Sequence, residues 1–463
     1  MIIWNWGIAS VAALLIVSVT LISVQKVQFS DASTACVGFQ GGANTITVTC
    51  DASFLDVVQA INDPSILERE EGQEGHYILN ANLEVADGVT FEMTSNGDGL
   101  QFLKIAGEHG IIVYGKILID GIIITSWDLS EDEVISQDMN GTVRRGYVQF
   151  AASEGSQITN SEFGYLGDVE PGRRGFDLFG GGGPSHDMVI RGSKFHDMWM
   201  AFYSKEAYNI VIDGNEYFNN IKYALDPHTA TYDMNITNNW VHHNINGIIC
   251  SDDCYNILIE GNLAEHNSNS GIFFSRNMTD SVARNNHVIN SSSGILVSES
   301  SNNQIYNNTI EEATGEAILL LTPDIPDDGS TEGNIIYNNI ISDSEIGVRA
   351  SRSHDNVVQN TTFSDIESSE YLASGNSSMI IRGQHFDDSL IAGGDVETEN
   401  IVQIANSGII EVEENSEGND DDDDDDEGDG DDGDDEDEVN SYNTNDEPYT
   451  AVLSDGDSIT VNS

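Results

Sequence analysis

The segment from Gly192 to Phe363 repeats itself about every 22 to 24 residues, and this period constrains the fold more than any other feature of the chain. Each unit has a short apolar run, then Asn-Asn or Gly-Asn, a few polar residues, and a second apolar run that opens with Gly or Ala. Successive anchors are 22, 24, 23, 24, 22, 31 and 22 residues apart, and the longest interval contains an inserted loop, TPDIPDDGSTEG. The anchors are Ser193, Asn215, Asn239, Asn262, Asn286, Asn308, Asn339 and Thr361.

A period of this length, built from short β-branched runs without helical periodicity, is typical of a β-solenoid whose turns stack on one another. We therefore predict an all-β fold, a single-stranded right-handed parallel β-helix of the pectate-lyase-like type. The recurring Asn indicates an internal ladder at one corner. Each side-chain amide would bond the turns above and below it and tolerate a left-handed backbone.

Outside the repeat, composition divides the chain into distinct regions. Residues 7–24 are apolar apart from Ser and Thr and are about long enough to span a bilayer, so they indicate export of the remainder of the chain. Residues 53–68 carry helix-spaced apolar side chains that suit a cap on the first turn. The predicted regions are a signal peptide or membrane anchor (1–26), an N-terminal cap region (27–75), the β-helix (76–400) and an acidic tail with short terminal strands (401–463).

The formal charge of −62 comes from 79 acidic and 17 basic residues. The run 411–438 holds 20 acids and no base, so the charge without it is −62 + 20 = −42. We expect this run to be disordered, because it cannot bury a core. Nucleic acid is excluded as a partner, since phosphate binding needs clustered Lys and Arg. The self-repulsion favours a saline habitat or divalent cations.

The four cysteines form two pairs in sequence. Cys36 and Cys50 flank a hairpin-like segment, and a disulfide between them suits an exported domain. Cys250 and Cys254 lie at one solenoid corner, where their closeness in sequence would allow a local disulfide. Their spacings fit no zinc pattern.

Counting back from the anchors predicts one column of charged side chains along the solenoid, with neighbours about one strand spacing (~4.8 Å) apart. This column comprises Lys205, His228, Asp252, Arg276 and Glu299. It suits either a catalytic strip for an extended polymer or a charge-paired surface ladder, and register alone favours the ladder. Likewise, Asp226-Pro227 has a plain interpretation as a strand-ending corner.

The tripeptide Asp226-Pro227-His228 follows Tyr223-Ala224-Leu225 and precedes Gly-Ile-Ile in the next turn. In this motif, in the Gly180-to-Pro184 run and in stretches such as HYILNANLEVADGVTFEM, the sequence resembles the periplasmic alginate (mannuronan) C5-epimerases. The resemblance covers about residues 75–365. That family carries Asp-Pro-His-Asp, whereas this chain has Thr229 in the fourth place. The family also has an Arg one turn later, where this chain has Asp252.

The resemblance implies that His228 is the base that removes the C5 proton of a mannuronate residue. We predict Asp226, Tyr223 and Lys205 as the other catalytic residues. We expect Lys205 to replace the missing Arg in neutralising the substrate carboxylate. Substrate-binding roles are predicted for Arg276, for Arg173 and Arg174 on a protruding loop, and for Asp252. Asp252 either holds His228 or binds Ca²⁺ that bridges to the substrate.

Three other functions stay open. A polysaccharide lyase would use the same carbanion-like intermediate, and a surface-anchored glycan-binding or structural β-helix would use none. A copper-loading β-helix is disfavoured, because no His/Met cluster is evident. The resemblance implies a polyuronate partner, and we expect no required cofactor, with calcium optional. The N-terminal segment predicts an exported protein that meets a membrane only through that segment, and we expect a monomer. The sign of the charge around His228 distinguishes an enzyme from a non-catalytic scaffold. A positive pocket would favour an enzyme, and a uniformly negative face would favour a scaffold.

Overall fold

The computed structural model describes residues 36–382 apart from 180–181, 327–328, 376 and 378, together with four short strands nearer the C-terminus. The predicted signal or anchor segment and the acidic run 411–438 lie outside the described residues. Among the residues described, no helix has the length and hydropathy that a membrane crossing requires.

The chain forms a right-handed parallel β-helix, as the repeat predicts, with three long sheets as its faces. Sheet A consists of Val37–Gln40, Thr45–Val48, Asn82–Val85, Gly110–Val113, Tyr147–Phe150, Gly175–Leu178, Met200–Lys205, Tyr223–His228, Asn246–Ser251, Ser270–Ser275, Ser293–Ser298, Glu316–Leu321, Ile346–Ser351 and Ser369–Ser374. Sheet B consists of Ala52–Ser53, Thr90–Thr94, Lys116–Asp120, Gln157–Thr159, Val189–Arg191, Tyr208–Asp213, Tyr232–Thr237, Tyr255–Glu260, Val282–Arg284, Gln304–Tyr306, Ile335–Tyr337, Asn356–Gln359, Met379–Arg382, Ile401–Ala405 and Gly408–Ile409. Sheet C consists of Leu67–Arg69, His76–Leu79, Phe102–Ala106, Ile123–Asp128, Glu162–Gly164, Lys194–His196, Glu216–Phe218, Trp240–His242, Leu263–Glu265, His287–Ile289, Thr309–Glu311, Ile340–Ser342 and Thr362–Ser364, with Glu133–Val134 beside Ile123–Asp128.

The remaining elements are short. The helices are Phe54–Ile61 and Ser95–Asp98, and Pro448–Val452 pairs with Ser458–Asn462 as an antiparallel hairpin. The first helix begins at the predicted position with a capping box between Ser53 and Asp56, and it buries Phe54 and Val57. A disulfide joins Cys36 to Cys50, as predicted, and closes the first hairpin.

The core is a narrow stack in which the same position of successive turns carries an apolar side chain. Phe163, Phe195 and Tyr217 stack face to face with ring centroids 5.0 and 4.9 Å apart, and each side chain is almost completely buried. Parallel pairing places equivalent residues one strand spacing apart, so aromatic rings at one position meet their neighbours directly.

The predicted Asn ladder is present at the corner between sheets B and C. The side-chain oxygen of Asn239 accepts from the backbone N–H and the amide of Asn215, at 3.0 and 3.1 Å. The amide of Asn239 donates in turn to the carbonyl of Ile212 and to Asn262. The same pattern continues through Asn286, Asn308 and Asn339.

The ladder residues themselves do not adopt the left-handed conformation that we expected of them. The residue before each one does, as in Asn238 with φ 55° and Gly261 with φ 67°. The two residues of each Asn-Asn or Gly-Asn pair therefore have different roles. The first residue makes the left-handed bend at the surface, and the second buries its amide.

A guanidinium in the interior was not predicted. Arg145 is completely buried and donates to the carbonyls of Gly167, Leu166 and Asp197 at 2.9, 2.8 and 2.9 Å. Burial lowers its pKa to about 9. These bonds tie together the backbone that leads into residues 168–187.

Two local predictions were wrong. Residues 168–187 are not simply a protruding loop, because Gly175–Leu178 is a strand of sheet A that pairs with Met200–Lys205. Cys250 and Cys254 are both buried free thiols. Cys254 contacts the carbonyl of Ser251 at 3.0 Å instead of pairing with Cys250.

We expect Asn239→Ala to lower the free energy of unfolding by about 2–4 kcal/mol, because buried groups of Asn215 and Ile212 lose their partners. Urea denaturation followed by circular dichroism measures the loss. Asn235→Ala, at an exposed position four residues earlier, is the matched control and should change stability by less than about 0.5 kcal/mol. Equal effects in the two variants would show that the ladder does not stabilise the fold.

Candidate active site

The strand Tyr223–His228 lies in sheet A between Met200–Lys205 and Asn246–Ser251. The structure corrects the predicted column. Lys205 and His228 are register partners, but the next partners in that column are serines, and the charged residues come one position later. These serines are Ser251, Ser275 and Ser298, followed by Asp252, Arg276 and Glu299 respectively.

The offset residues nevertheless approach His228. Asp252 and Arg276 have φ values of 60° and 49°, so the chain turns sharply at each of them. The Oδ2 atom of Asp252 lies 3.3 Å from Nδ1 of His228, and its Oδ1 atom lies 2.9 Å from Nε of Arg276. An Nη atom of Arg276 lies 3.1 Å from Nε2 of His228. The three side chains thus form a closed triangle.

The contacts determine which imidazole nitrogen carries the proton. A guanidinium only donates, so Nε2 of His228 accepts from Arg276 and the proton resides on Nδ1. Nδ1 also lies 2.7 Å from the hydroxyl oxygen of Thr229. Burial, reinforced by the positive charges of Arg276, Arg174 and Lys205, lowers the pKa of His228 to about 3. The ring is therefore neutral near pH 7.

Arg174 reaches the site from two turns before the strand that carries His228. Its guanidinium carbon lies 4.0 Å from the ring centroid of Tyr203, and this ring lies 5.2 Å from the imidazole of His228. Arg174 is held by Asp177, whose Oδ2 accepts from the Arg174 backbone N–H at 3.1 Å and lies 3.5 Å from its guanidinium. Burial raises the pKa of Asp177 to about 6.

Asp226 is almost completely buried and is the register partner of Tyr203. Burial raises its pKa to about 8, an effect that the charges of Arg276 and Arg174 oppose. The carboxyl is therefore mostly protonated near pH 7. The cations whose charges act on the imidazole are Arg174, Arg276 and Lys205. The carboxylate of Asp177 lies beside Arg174, and that of Asp252 lies beside His228 and Arg276.

The other predicted site residues lie farther from the imidazole. Tyr223 is buried five residues before His228, about 16 Å along the strand. The ammonium of Lys205 lies 5.2 Å from the ring centroid of Phe179. Arg173 pairs with Asp168 at 3.3 Å and covers the ring of Tyr147, so it faces away from this cluster.

Sequence reasoning missed Tyr203 and Asp177. Tyr203 lies 23 residues before Asp226, which is one repeat, so the period itself was a signal for it. Asp177 had no such signal, because the turn that carries it has an irregular register.

Within the described residues, one group of three side chains has the spacing of a metal site, and it consists of Glu154, His186 and Asp187. It does not include Asp252, whose two oxygens face His228 and Arg276. The calcium expectation stays a prediction.

Comparison with known proteins agrees with the fold and with the resemblance. Residues 142–287 match the profile of the right-handed β-helix region, and residues 228–364 match that of the periplasmic copper-binding protein NosD. A mannuronan C5-epimerase of Pseudomonas aeruginosa is 24% identical over 227 residues, which are 44% of this chain and 41% of that protein. One from Pseudomonas syringae pv. tomato is 26% identical over 180 residues, 37% of this chain and 33% of that protein.

Solved structures are similar over more of the chain. The periplasmic alginate epimerase AlgG superposes with a TM-score of 0.62 at 21% identity, covering 72% of this chain and 85% of that one. The A-module of the Azotobacter vinelandii mannuronan C-5 epimerase AlgE4 gives a TM-score of 0.50 at 17% identity, covering 69% and 90%. The chain is thus distantly homologous to mannuronan C5-epimerases, although it matches about two fifths or less of the length of the first two curated relatives.

The buried carboxyl of Asp226 should make stability depend on pH. Between its ordinary pKa of 3.8 and its folded value of about 8, the folded chain holds a proton that the unfolded chain has lost. The free energy of unfolding therefore falls as pH rises through this window, by at most about 1.4 kcal/mol per pH unit from this group.

Asp226→Asn should remove that contribution, so its stability relative to the parent should increase from pH 5 to pH 8. Urea denaturation at several pH values in constant high salt measures the difference. Asp233→Asn, at an exposed position, is the control and should show no such trend. A flat difference for Asp226→Asn would mean that the carboxyl is ionised in the folded chain.

Proposed function

We propose that this protein modifies a polyuronate by epimerising mannuronate to guluronate at C5. Distant homology to mannuronan C5-epimerases supports the substrate class. The observation that carries the proposal is a neutral, buried His228 whose Nε2 atom lies beside a guanidinium. A base and a carboxylate-neutralising cation are thereby placed next to one another.

The chemistry requires both groups. The C5 proton is α to a carboxylate and is barely acidic, so the carboxylate must be neutralised before imidazole can remove the proton. In the proposed step the C5–H bond breaks and Nε2 of His228 takes the proton. The electron pair moves into the carboxylate, which Arg276 binds. Reprotonation from the opposite face inverts C5.

The proton for the opposite face needs a hydroxyl donor. Tyr223 was predicted for a catalytic role, and Tyr203 is the phenol that packs against the imidazole. Burial raises the pKa of Tyr203 above its usual value, so its hydroxyl stays protonated and able to donate. We favour Tyr203 for this role.

The charge around His228 supports an enzyme over a non-catalytic scaffold. The chain carries −62 overall, yet three positive charges, those of Arg276, Arg174 and Lys205, lower the pKa of His228, against one carboxylate, Asp252, that lies 3.3 Å from its Nδ1 atom. A polyanion repelled by the acidic body would meet a locally positive site, and salt or divalent cations would screen the rest. We therefore propose a saline, extracytoplasmic setting.

A lyase remains the second candidate because of Asp226. Its raised pKa keeps a proton on a carboxyl two residues before His228, and a departing glycosidic oxygen needs a proton donor. Loss of that oxygen from the same intermediate would leave an unsaturated chain end. Copper loading has less support, because the one group of prospective ligands among the described residues offers a single imidazole and two carboxylates.

We expect His228→Ala to reduce turnover by about 10²–10⁴-fold without loss of fold, because it removes the base. Proton NMR of polymannuronate incubated with the enzyme in heavy water, at high salt with calcium, measures the reaction. Guluronate that carries deuterium at C5 identifies an epimerase, and unsaturated ends identify a lyase. His287→Ala, at a surface histidine paired with Glu311, is the control. An active His228→Ala enzyme would end the assignment of the base.

Arg276→Ala should lower kcat by about 10²-fold, whereas Lys205→Ala should lower it by less than about tenfold. The reason is distance, since Arg276 contacts the imidazole and Lys205 acts on it only through its charge. Steady-state assays of both variants beside Arg284→Ala, which removes a surface arginine paired with Glu260, provide the comparison. A larger loss in Lys205→Ala would make Lys205 the neutralising cation, as the counted column led us to expect.

A further inference from the structure

Both ring nitrogens of His228 are engaged in this structure. Nδ1 faces Thr229 and Asp252 at 2.7 and 3.3 Å, and Nε2 accepts from Arg276 at 3.1 Å. A general base needs an open lone pair, and the lone pair of this neutral ring is on Nε2. The cation that we assign to the substrate carboxylate therefore covers the base in this structure.

We propose that Asp252 is a positioning residue that holds His228 as the Nδ1–H tautomer and anchors Arg276 over Nε2, and that a bound uronate carboxylate draws Arg276 away to uncover the base. This inference rests on the proposed function and adds a substrate-dependent gate to the same site.

Asp252 is well placed to act as the fixed member of the triangle. Its carbonyl accepts from the N–H of Ala230 at 2.7 Å, and the N–H of Asp253 donates to the carbonyl of Arg276 at 3.1 Å. The corner is thus tied to the turns on both sides. The guanidinium, in contrast, sits at the end of a flexible stem and has five donors, so it can keep one contact while it changes another.

The exchange of partners is favourable for Arg276. Its bond to Nε2 has a neutral acceptor, whereas a uronate carboxylate offers a charged acceptor that matches the guanidinium fork. Moving Arg276 from the ring to the carboxylate also removes one of the positive charges that lower the pKa of His228. Substrate binding would therefore raise the basicity of the imidazole as it uncovers it, and Asp252 would stabilise the imidazolium that forms.

The gate also gives a physical meaning to the departure from the epimerase pattern. An Asp at position 252 cannot neutralise a carboxylate, but it can hold an Arg that comes from the following turn. Arg276, held by Asp252, would then neutralise the substrate carboxylate, a role that a single Arg has in the family that this chain resembles.

The first test uses the intact protein without substrate. In ¹⁵N-histidine NMR we expect His228 to be the Nδ1–H tautomer near pH 7. Diethylpyrocarbonate acylates an open imidazole nitrogen, and peptide mass spectrometry gives the rate at His228 relative to His287 in the same sample. We expect Asp252→Asn and Arg276→Ala each to raise this ratio by about tenfold, and the control Arg284→Ala to leave it unchanged.

The second test adds a mannuronate trisaccharide and follows the NMR titration of His228. The midpoint should rise by about one pH unit or more in the parent and should not rise in Asp252→Asn. An Nε2–H tautomer, unchanged acylation ratios, or a midpoint that ignores the trisaccharide would each overturn the gate. If the tautomer and the acylation ratios hold but no polyuronate is turned over, the proposed function fails while the positioning by Asp252 stands.

Discussion

The register of the turns that carry Asn215 to Asn339 depends on the buried side-chain amide ladder at the corner between sheets B and C. Each ladder Asn bonds the backbone of one turn and the amide of the next, so adjacent turns cannot slip by a residue without leaving buried donors and acceptors unpaired. A slip would also turn every apolar side chain of a strand from the core to the solvent. The ladder therefore fixes the relative positions of residues that lie 22 to 31 positions apart in the chain.

Because the register is fixed, side chains from separate turns meet in one site. His228, Asp252 and Arg276 come from three successive turns, and Arg174 and Tyr203 come from the two turns before. These five residues are far apart in the sequence, and only the stacking of the turns brings them together. Burial then decides their charge states. It raises the pKa of Asp226 and lowers that of His228, so a carboxyl keeps its proton and an imidazole stays neutral in a strongly acidic protein.

The charges that lower the pKa of His228 are positive, whereas the chain as a whole carries −62. High salt screens the exposed carboxylates over about 10 Å or less, while the partly buried cations around His228 are screened less. Such a protein can attract an anionic polymer to the residues around His228 although its other acidic side chains repel it. This contrast agrees with distant homology to mannuronan C5-epimerases and favours a polyuronate over a neutral glycan.

The sequence by itself determined the β-helix, its ladder, the helical cap and the first disulfide. These features arise from local periodicity and short motifs, which survive in any arrangement of the turns. It did not determine which residues meet at His228. Counting from the anchors ignored one extra left-handed residue at some corners, as in Thr229-Ala230 and Asp252-Asp253, so the predicted column was offset by one position. Only the tertiary structure showed that Asp252 and Arg276 turn back to the imidazole, because a corner conformation and the rotamers of long side chains depend on the turns packed on either side.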